Sequence, residues 1–487
     1  MAQTRWRVVT ASVLVALVAG VLITAERPGP AAKAVPAASA SSRPNIVLVL
    51  TDDLSRDLVA HMPAVLRMKR AGLSAQRYII SNSLCCPSRA SLLTGRYSHN
   101  TGIYTNQPPN GGFRTFRDNG SEDSTVATDL QAAGYRTGFF GKYLNGYGVK
   151  DGYVPPGWSR WVSTGHGYEG FDYTLNVDGE LRSHGSRPAD YLTDVLGRQA
   201  ETFVRASVDA GQPFFAEIST FTPHTPVVPA PRHAKLFPRI KAPRGAAFDV
   251  KVARAPDWLD VPRLSARDKR MIDTRFRKRL RAVQAIDELV AGLRSTLREQ
   301  GVSRDTYVVF TSDNGYHLGQ HRLRGGKMTA FDTDVRVPLV VIGPGVAPDV
   351  SDSSLTQNID LRPTFDEIAG TPVPREVDGV SLLDQWQGGA PGERDFALIE
   401  HDGPVPTGDP DVQPRLAGPP TAYAALRGPW STYVENATGE REYYELGSDP
   451  AQNLNIYDSL SAEFQQTLHL RLTRLSACAG ASCRAQP

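Results

Sequence analysis

The sequence predicts an α/β protein in which a central, mostly parallel sheet is flanked by helices. Two observations predict this class: strand and helix signals alternate over residues 44–370, and the first strand signal, Asn45–Thr51, is a continuous apolar run. Continuous apolar runs are typical of parallel strands that are buried on both faces. Alternation with helices supplies the connections that such strands need, so we expect helices on both faces of one sheet.

The first 43 residues are predicted to be an export signal followed by a linker. Arg5 and Arg7 form a basic start, residues 8–24 are predominantly apolar, and an Ala/Ser/Pro-rich tract continues to about Ser42. The apolar run is shorter than the roughly 20 residues of a membrane-spanning helix. We expect an exported protein (secreted, periplasmic or at the cell surface, lysosomal if eukaryotic), with a retained N-terminal anchor as the alternative.

The elements after the linker divide the chain into two parts. A catalytic domain is predicted over residues 44–370, and a smaller C-terminal α+β subdomain with a tail over residues 371–487. The subdomain begins where Pro- and Gly-rich loops replace the alternating pattern. The predicted strands are Asn45–Thr51, 135–140, 214–218, 307–311, 337–343, 423–426 and 430–434, and the predicted helices are 62–71, 124–133, 190–209, 268–300, 359–370 and 462–475.

The charge balance excludes a global field that would attract nucleic acid. There are 54 basic and 51 acidic side chains, for a formal net charge of +3. One stretch is locally basic, because residues 232–281 contain 16 Lys or Arg and 5 Asp or Glu. Two interpretations stay open: a solvated helix face with a basic loop, or a rim that attracts an anionic substrate.

Four cysteines fall into two pairs. Cys478 and Cys483 lie in a small, polar tail, where a short disulfide loop would suit an oxidising compartment. Cys85 and Cys86 open the segment Cys85-Cys86-Pro87-Ser88-Arg89, which reads as the start of a helix after a loop. A helix N-terminus presents free N–H groups to an anion, and Arg89 would lie one turn along the same face as Cys85.

Two polar pairs follow directly after apolar strands. Asp52 and Asp53 follow the first strand, and Asp313 and Asn314 follow the strand at 307–311. Ligands in open α/β sheets bind beyond the carboxyl ends of strands, and adjacent carboxylates repel each other unless a cation lies between them. Carboxylate and amide oxygens suit a hard cation such as Ca²⁺, although ligand type alone leaves Mg²⁺ open.

Further candidates supply positive charge and protons at the same edge. Lys142 and His224 each follow a predicted strand, and Lys327 lies shortly after the Asp-Asn pair. Each of these residues alone is weak evidence for an active site, but we expect all of them to lie together at one sheet edge. His317 and His321 are additional candidates without an assigned role.

The segment that begins at Cys85 resembles the signature of the sulfatase family, including the downstream Thr94-Gly95-Arg96. Residues 141–147, 156–158, 190–194 and 311–317 are similar to the N-acetylglucosamine-6-sulfatase branch of that family, as is Leu144-Asn145, where many other sulfatases have His. The spacer at residues 322–326 differs from that of the animal enzymes. The resemblance implies a sulfatase/alkaline-phosphatase-like fold and hydrolysis of a sulfated sugar such as N-acetylglucosamine 6-sulfate, and also of aryl sulfates.

The resemblance also implies roles for single residues. Cys85 would be oxidised to formylglycine by a formylglycine-generating enzyme, and its hydrated aldehyde would attack sulfur. One Ca²⁺ would be held by Asp52, Asp53, Asp313, Asn314 and the modified Cys85. Arg89, Lys142 and Lys327 would contact the sulfuryl oxygens, and His224 would serve the departing oxygen.

Three alternatives compete with this hypothesis. A phosphodiester or phosphonate ester hydrolase of the same superfamily could use the same residues. An exported sugar-binding protein without activity is the second alternative, although every reactive position is occupied here. The third is an alkaline-phosphatase-like enzyme with an unmodified nucleophile at position 85.

Overall fold

The computed structural model describes residues 43–485, except 391, 393, 404–408, 410, 412–415 and 417. The predicted export signal and the linker up to Ser42 lie outside the described residues. Within the described part of the chain, no helix combines the length and the apolar character needed to cross a membrane.

The larger of the two sheets formed by the described residues contains ten strands. These are β1 (Asn45–Thr51), β2 (Leu73–Ile79), β3 (Arg136–Gly141), β4 (Arg160–Ser163), β5 (Tyr173–Val177), β6 (Glu180–His184), β7 (Phe214–Ser219), β8 (Thr306–Ser312), β9 (Leu339–Ile342) and β10 (Val350–Gln357). Their spatial order is β10-β2-β9-β8-β1-β7-β3-β4-β5-β6. The centre, β8-β1-β7-β3-β4, is parallel, which confirms the predicted class, whereas antiparallel pairings on both sides make the sheet mixed.

Helices cover the sheet and connect its strands. The described α-helices are α1 (Pro63–Arg70), α2 (Cys85–Thr94), α3 (Ser98–Thr101), α4 (Gly112–Asp118), α5 (Val126–Ala132), α6 (Leu192–Asp209), α7 (Ala266–Glu299), α8 (Asp332–Val335), α9 (Leu361–Ala369), α10 (Leu383–Trp386), α11 (Ala462–Leu475) and α12 (Ala481–Arg484). Short 3-10 helices lie at Arg56–His61, Ser121–Asp123, Pro188–Asp190, Pro231–His233, Asp257–Leu259, Ser303–Asp305, Asn358–Asp360 and Tyr457–Ser459.

Strand β1 shows why the sequence of a central strand contains a continuous apolar run. Its seven residues are all buried, and successive side chains point to opposite faces. Leu48 belongs to the core cluster that contains Phe365 of α9, whereas Val49 belongs to the cluster that contains Leu280 of α7. Both faces are therefore covered by helices, as predicted.

The smaller sheet is antiparallel and lies late in the chain. Its strands are β11 (Ala397–His401), β12 (Tyr423–Arg427), β13 (Ser431–Asn436) and β14 (Arg441–Glu445), paired in that order. Leu468 and Leu472 of α11 pack with this sheet in one core cluster. Cys478 and Cys483 form the expected disulfide. The domain boundary after residue 370 stays a prediction.

Candidate active site

Four neighbouring strands end at one edge of the larger sheet. Thr51 of β1 lies opposite Ser312 of β8, and Ser219 of β7 lies opposite both Leu50 of β1 and Gly141 of β3. Because all these pairings are parallel, the residues that follow the strands meet beyond their carboxyl ends. The structure thereby brings all nine predicted site residues into one cluster, each of them at most 3% exposed: Asp52, Asp53, Cys85, Arg89, Lys142, His224, Asp313, Asn314 and Lys327.

Helix α2 begins at Cys85 and directs two side chains into this cluster. The Cys85 Sγ lies 3.2 Å from Asp52 Oδ1 and 2.8 Å from Lys327 Nζ. One turn along, Arg89 donates through Nε to Asp313 Oδ2 at 2.8 Å. The thiol and the guanidinium therefore share one polar site, as the helix period requires for residues i and i+4.

Each of the two lysines pairs with one member of the adjacent Asp52 and Asp53. Lys142 Nζ lies 2.6 Å from Asp52 Oδ2, and Lys327 Nζ lies 2.7 Å from Asp53 Oδ1. Gly141 has a φ of +125°, and a Cβ at this position would lie 1.8 Å from the carbonyl oxygen of Ser219. A glycine is thus required directly before Lys142, which explains the Gly-Lys pair in the sequence.

Burial and neighbouring charges shift the pKa values of these groups in opposite directions. Burial raises the pKa of Asp52, but Lys142 and the other nearby cations outweigh it and hold that pKa well below its ordinary value. Burial raises the pKa of Asp313 to about 6 although Arg89 opposes the shift. Burial, with Asp411 and Asp52, raises the pKa of the Cys85 thiol, so an unmodified thiol is protonated at neutral pH.

The donor set around Asn314 fits a hard cation. Its Nδ2 donates to Asp53 Oδ1 at 2.6 Å and to the carbonyl of Gly315 at 2.9 Å. Its Oδ1 is buried and has no hydrogen-bond partner among the described residues. Asp52, Asp53, Cys85 and His224 each offer one ligand atom within 4.8 Å of the others. An unpartnered amide oxygen on a residue that contacts the Asp53 carboxylate is a ligand type that suits Ca²⁺.

Asp313 is placed differently from the other predicted metal ligands. Its Oδ1 accepts from the backbone amides of Asp53 at 3.1 Å and Asn314 at 2.7 Å, and its Oδ2 accepts from Arg89. His224, which was not predicted as a ligand, lies 3.7 Å from Asp53 Oδ2. The carboxylate of Asp313 therefore orients the neighbouring backbone and Arg89 in addition to any contact with a metal.

Asp411 belongs to this site and is a residue that the sequence analysis missed. Its Oδ1 lies 2.6 Å from His224 Nε2 and 2.8 Å from Lys327 Nζ, and its Oδ2 accepts from Asn106 Nδ2 at 2.7 Å. Asp409 accepts from the same Nδ2 at 3.1 Å. No local signal distinguishes these aspartates, because an Asp in a Pro- and Gly-rich loop is typical of an ordinary turn.

Aromatic and histidine side chains complete the surroundings. The Tyr168 ring, also missed, lies 4.7 Å from the His224 ring and 5.2 Å from Lys142 Nζ. His317 Nδ1 lies 2.9 Å from Asp334 Oδ2. His321 Nε2 lies 2.8 Å from the carbonyl of Ala451, and burial lowers the pKa of His321 to about 4. These contacts of the two histidines are with residues outside the cluster.

The cluster can bind and polarise an oxyanion. Arg89, Lys142 and Lys327 supply three permanent positive charges beside Cys85, and His224 can transfer a proton. The groups are held in position by the fold, so they need little reorganisation when negative charge develops on a bound group.

The chain is similar to known proteins over most of its length. The family model described as Sulfatase matches residues 44–371. The N-acetylglucosamine-6-sulfatase of Capra hircus is 34% identical over 92% of this chain and 86% of its own length. A protein solved in complex with its substrate D-glucosamine-2-N,6-O-disulfate superposes with a TM-score of 0.72 at 23% identity, over 89% of this chain and 97% of that chain. The phosphonate monoester hydrolase of Agrobacterium radiobacter superposes with a TM-score of 0.67 at 21% identity, over 89% of this chain and 96% of that one.

Proposed function

Because the chain belongs to the sulfatase family, it is a sulfuric ester hydrolase, and we propose that it removes the 6-O-sulfate of N-acetylglucosamine or of a related sulfated sugar. The observation that carries this proposal is the buried position of Cys85 at the start of α2, within 2.8 Å of Lys327 Nζ. The goat relative supports the choice of sugar, since the similarity extends over 92% of the chain.

The nucleophile is proposed to derive from Cys85. A formylglycine-generating enzyme would convert the thiol to an aldehyde, and the Cys85 Sγ marks the position of the reactive oxygen. The hydrated aldehyde supplies two hydroxyl groups on one carbon, which a plain Ser or Cys lacks. The first turn of α2 holds residue 85 between Asp52 and Lys327.

A Ca²⁺ ion is proposed to be held by Asp52, Asp53, Asp313, Asn314 and residue 85. The unpartnered, buried Oδ1 of Asn314 supports this assignment. Such an ion would supply positive charge that offsets the negative charge on the sulfuryl oxygens.

The remaining residues are proposed to stabilise charge and to transfer a proton. Arg89, Lys142 and Lys327 bind the sulfuryl oxygens. His224 donates a proton to the departing sugar oxygen. Asp411 Oδ1 lies 2.6 Å from the imidazole Nε2, and the Thr225 carbonyl oxygen lies 2.5 Å from Nδ1. These contacts hold the ring in one orientation, and His224 releases one of them when it donates its proton.

We also propose that the protein is exported. The basic and apolar start of the sequence supports export, and so does the disulfide between Cys478 and Cys483, which persists in oxidising compartments.

Steady-state kinetics on matched substrates tests the proposed function. We expect kcat/KM for 6-sulfated N-acetylglucosamine to exceed that for its 3-sulfated isomer by at least about tenfold, roughly 1.4 kcal/mol of transition-state discrimination. Aryl sulfate should be cleaved faster than aryl phosphate or phosphonate monoesters. Preference for the 3-sulfated isomer would refute the sugar assignment, and preference for a phosphorus ester would favour the alternative hydrolase.

Peptide mass spectrometry across Cys85 tests the nucleophile separately. An aldehyde at position 85 in active protein is the expected result. An active enzyme that carries an intact thiol at this position would favour the alkaline-phosphatase-like alternative, and a protein that turns over none of the esters would favour a binding role.

A further inference from the structure

Helix α7 presents an exposed basic face beside the candidate active site. The exposed residues on this face recur at intervals of three and four and therefore lie along one side of the helix. Together with three residues of a neighbouring loop they line a groove of about 480 Å³. The lining residues are Arg267, Arg270, Met271, Thr274, Arg275 and Lys278 of α7, and Thr225, Pro226 and Val227 of the loop.

The positive charge of this groove is not neutralised by any residue that the structure describes. Its lining contains no carboxylate, and none of its four basic side chains forms a salt bridge with any described residue. The acidic residues of the same part of α7 are engaged elsewhere: Asp268 with Arg324 at 2.9 Å and Asp273 with Arg244 at 2.6 Å. Basic residues from the stretch 232–281 therefore produce a local positive electrostatic potential at this groove.

The groove adjoins the side of the active site on which His224 lies. Thr225 follows His224 in the chain, and the Val227 amide donates to the His224 carbonyl at 3.0 Å. Arg279 of α7 donates to the carbonyl of Pro223 at 3.2 Å and also to that of Asp53, so the helix is tied to the site's backbone. A substrate whose departing oxygen meets His224 has its alcohol portion on this side.

We propose that the groove binds the continuing chain of an anionic glycan whose terminal sugar carries the sulfate that is cleaved. Sulfate or carboxylate groups on the following sugars pair with Arg267, Arg270, Arg275 and Lys278, and the Met271 side chain, 47% exposed, contacts a sugar ring. This inference rests on the proposed function, because it takes the role of His224 from it. It specifies the substrate as a polyanionic oligosaccharide or polysaccharide instead of a free monosaccharide.

A paired set of variants tests the groove. Arg270→Gln with Lys278→Gln removes two groove charges. Arg298→Gln in the last turn of α7, combined with Arg304→Gln just beyond it, removes two exposed charges far from the groove. Since a helix rises 1.5 Å per residue, Arg298 lies about 40 Å from Arg270. Each protein is assayed on 6-sulfated N-acetylglucosamine and on a sulfated hexasaccharide that ends in this sugar, at low and high salt.

We expect the groove variant to lose at least about tenfold in kcat/KM on the hexasaccharide, through KM, and to stay within about twofold on the monosaccharide. The control variant should behave as the unchanged protein, and salt should weaken only the hexasaccharide advantage. Equal losses on both substrates, or an unchanged hexasaccharide rate in the groove variant, would overturn the proposal.

Binding measured without turnover separates this proposal from the proposed function. Calorimetric titration of Cys85→Ala protein with the hexasaccharide should give an affinity that the groove substitutions weaken by at least about tenfold. If the affinity is the same with and without the groove charges, the proposed binding of the glycan chain in the groove is contradicted, even if the enzyme is a sulfatase. Weakened binding would support it even if neither sulfated sugar is cleaved.

Discussion

At the scale of single residues, two adjacent cysteines occupy opposite surroundings. Cys85 and Cys86 are both fully buried. Cys86 belongs to the hydrophobic core, and its backbone amide donates to Asn106 Oδ1 at 3.1 Å. The Cys85 Sγ instead lies among Asp52 and Lys327. One step along a helix rotates the side chain by about 100°, which separates a reactive position from a packing position.

We therefore expect Cys85→Ala to abolish turnover and Cys86→Ala to leave a substantial part of it. The second change removes one buried sulfur atom, at a cost of about 1 kcal/mol in the free energy of unfolding. Turnover of an aryl sulfate and urea unfolding measure the two effects. Full activity in the Cys85→Ala variant would contradict the proposed mechanism.

Asp313→Ala should lose bound calcium and most of the activity. The structure adds a second effect, because this change also leaves the buried guanidinium of Arg89 without its carboxylate partner. Breaking a buried ion pair from one side costs about 3–5 kcal/mol, so we expect lower stability than the loss of a metal ligand alone would cause.

Metal analysis after dialysis, together with urea unfolding, checks this prediction. Asp118→Ala is the matched control, because this carboxylate on α4 has a side chain that is 63% exposed. Calcium retained at the control's level in Asp313→Ala protein would show that Asp313 is not a ligand.

At the scale of elements, the connection between β11 and β12 contributes to a site that is otherwise built on the larger sheet. It brings Asp411 to His224 and Lys327, and Asn106 holds both Asp409 and Asp411. Loops carry binding groups onto rigid scaffolds, and the scaffold here is the edge where four strands end. The C-terminal part of the chain therefore takes part in the chemistry.

Asp411→Asn should lower kcat/KM for aryl sulfate by at least about tenfold. The Asn side chain can still accept a hydrogen bond from Asn106. It lacks the negative charge that pairs with both His224 and Lys327, and the loss of these charge-assisted contacts is expected to misplace both groups. Asp402→Asn on the same connection is the control, since Asp402 is exposed. Normal kinetics in the Asp411 variant with a similar melting temperature would rule out a positioning role.

At the scale of the whole molecule, the fold also buries charges far from the site. Asp366 of α9 is fully buried, and its nearest cation is the Arg362 Nε at 3.9 Å. Burial, and next the carboxylate of Asp129 on α5, raises the pKa of Asp366 to about 8. The helices α5 and α9 thus meet through a carboxyl group that is protonated in the folded protein at neutral pH.

This arrangement predicts a pH dependence of stability. Since the folded-state pKa lies above the ordinary value of 3.8, the contribution of Asp366 is fully present below about pH 4 and is lost as the pH rises towards 8. We expect Asp366→Asn to lose less stability than the unchanged protein between pH 5 and 8. The difference is at most roughly 1.4 kcal/mol per pH unit.

Urea unfolding at several pH values measures this difference. Asp352→Asn, a change at a partly buried residue of the edge strand β10, is the control and should follow the unchanged protein. Parallel pH profiles for the Asp366 variant and the unchanged protein would contradict the prediction.

The sequence by itself determined the fold class and the nine residues that cluster in the site. Strands such as β1 and β8 have continuous apolar centres because both of their faces are buried, so these apolar runs located the strands in the sequence. The polar residues directly after those ends had to meet, because parallel strands finish at one edge. The Cys85 motif is local in the same way, since a helix start depends on neighbouring residues.

Only the tertiary structure decided which distant residues join them. Strand β10 has a polar, partly exposed first half because it lies at the sheet edge, so its sequence carries no strand signal and was not predicted. Asp411 lies 187 residues from His224 in sequence, and Asn106 lies 305 residues from Asp411. Contacts over such separations leave no local periodicity or turn signal, because they arise only when the packed elements bring the side chains together.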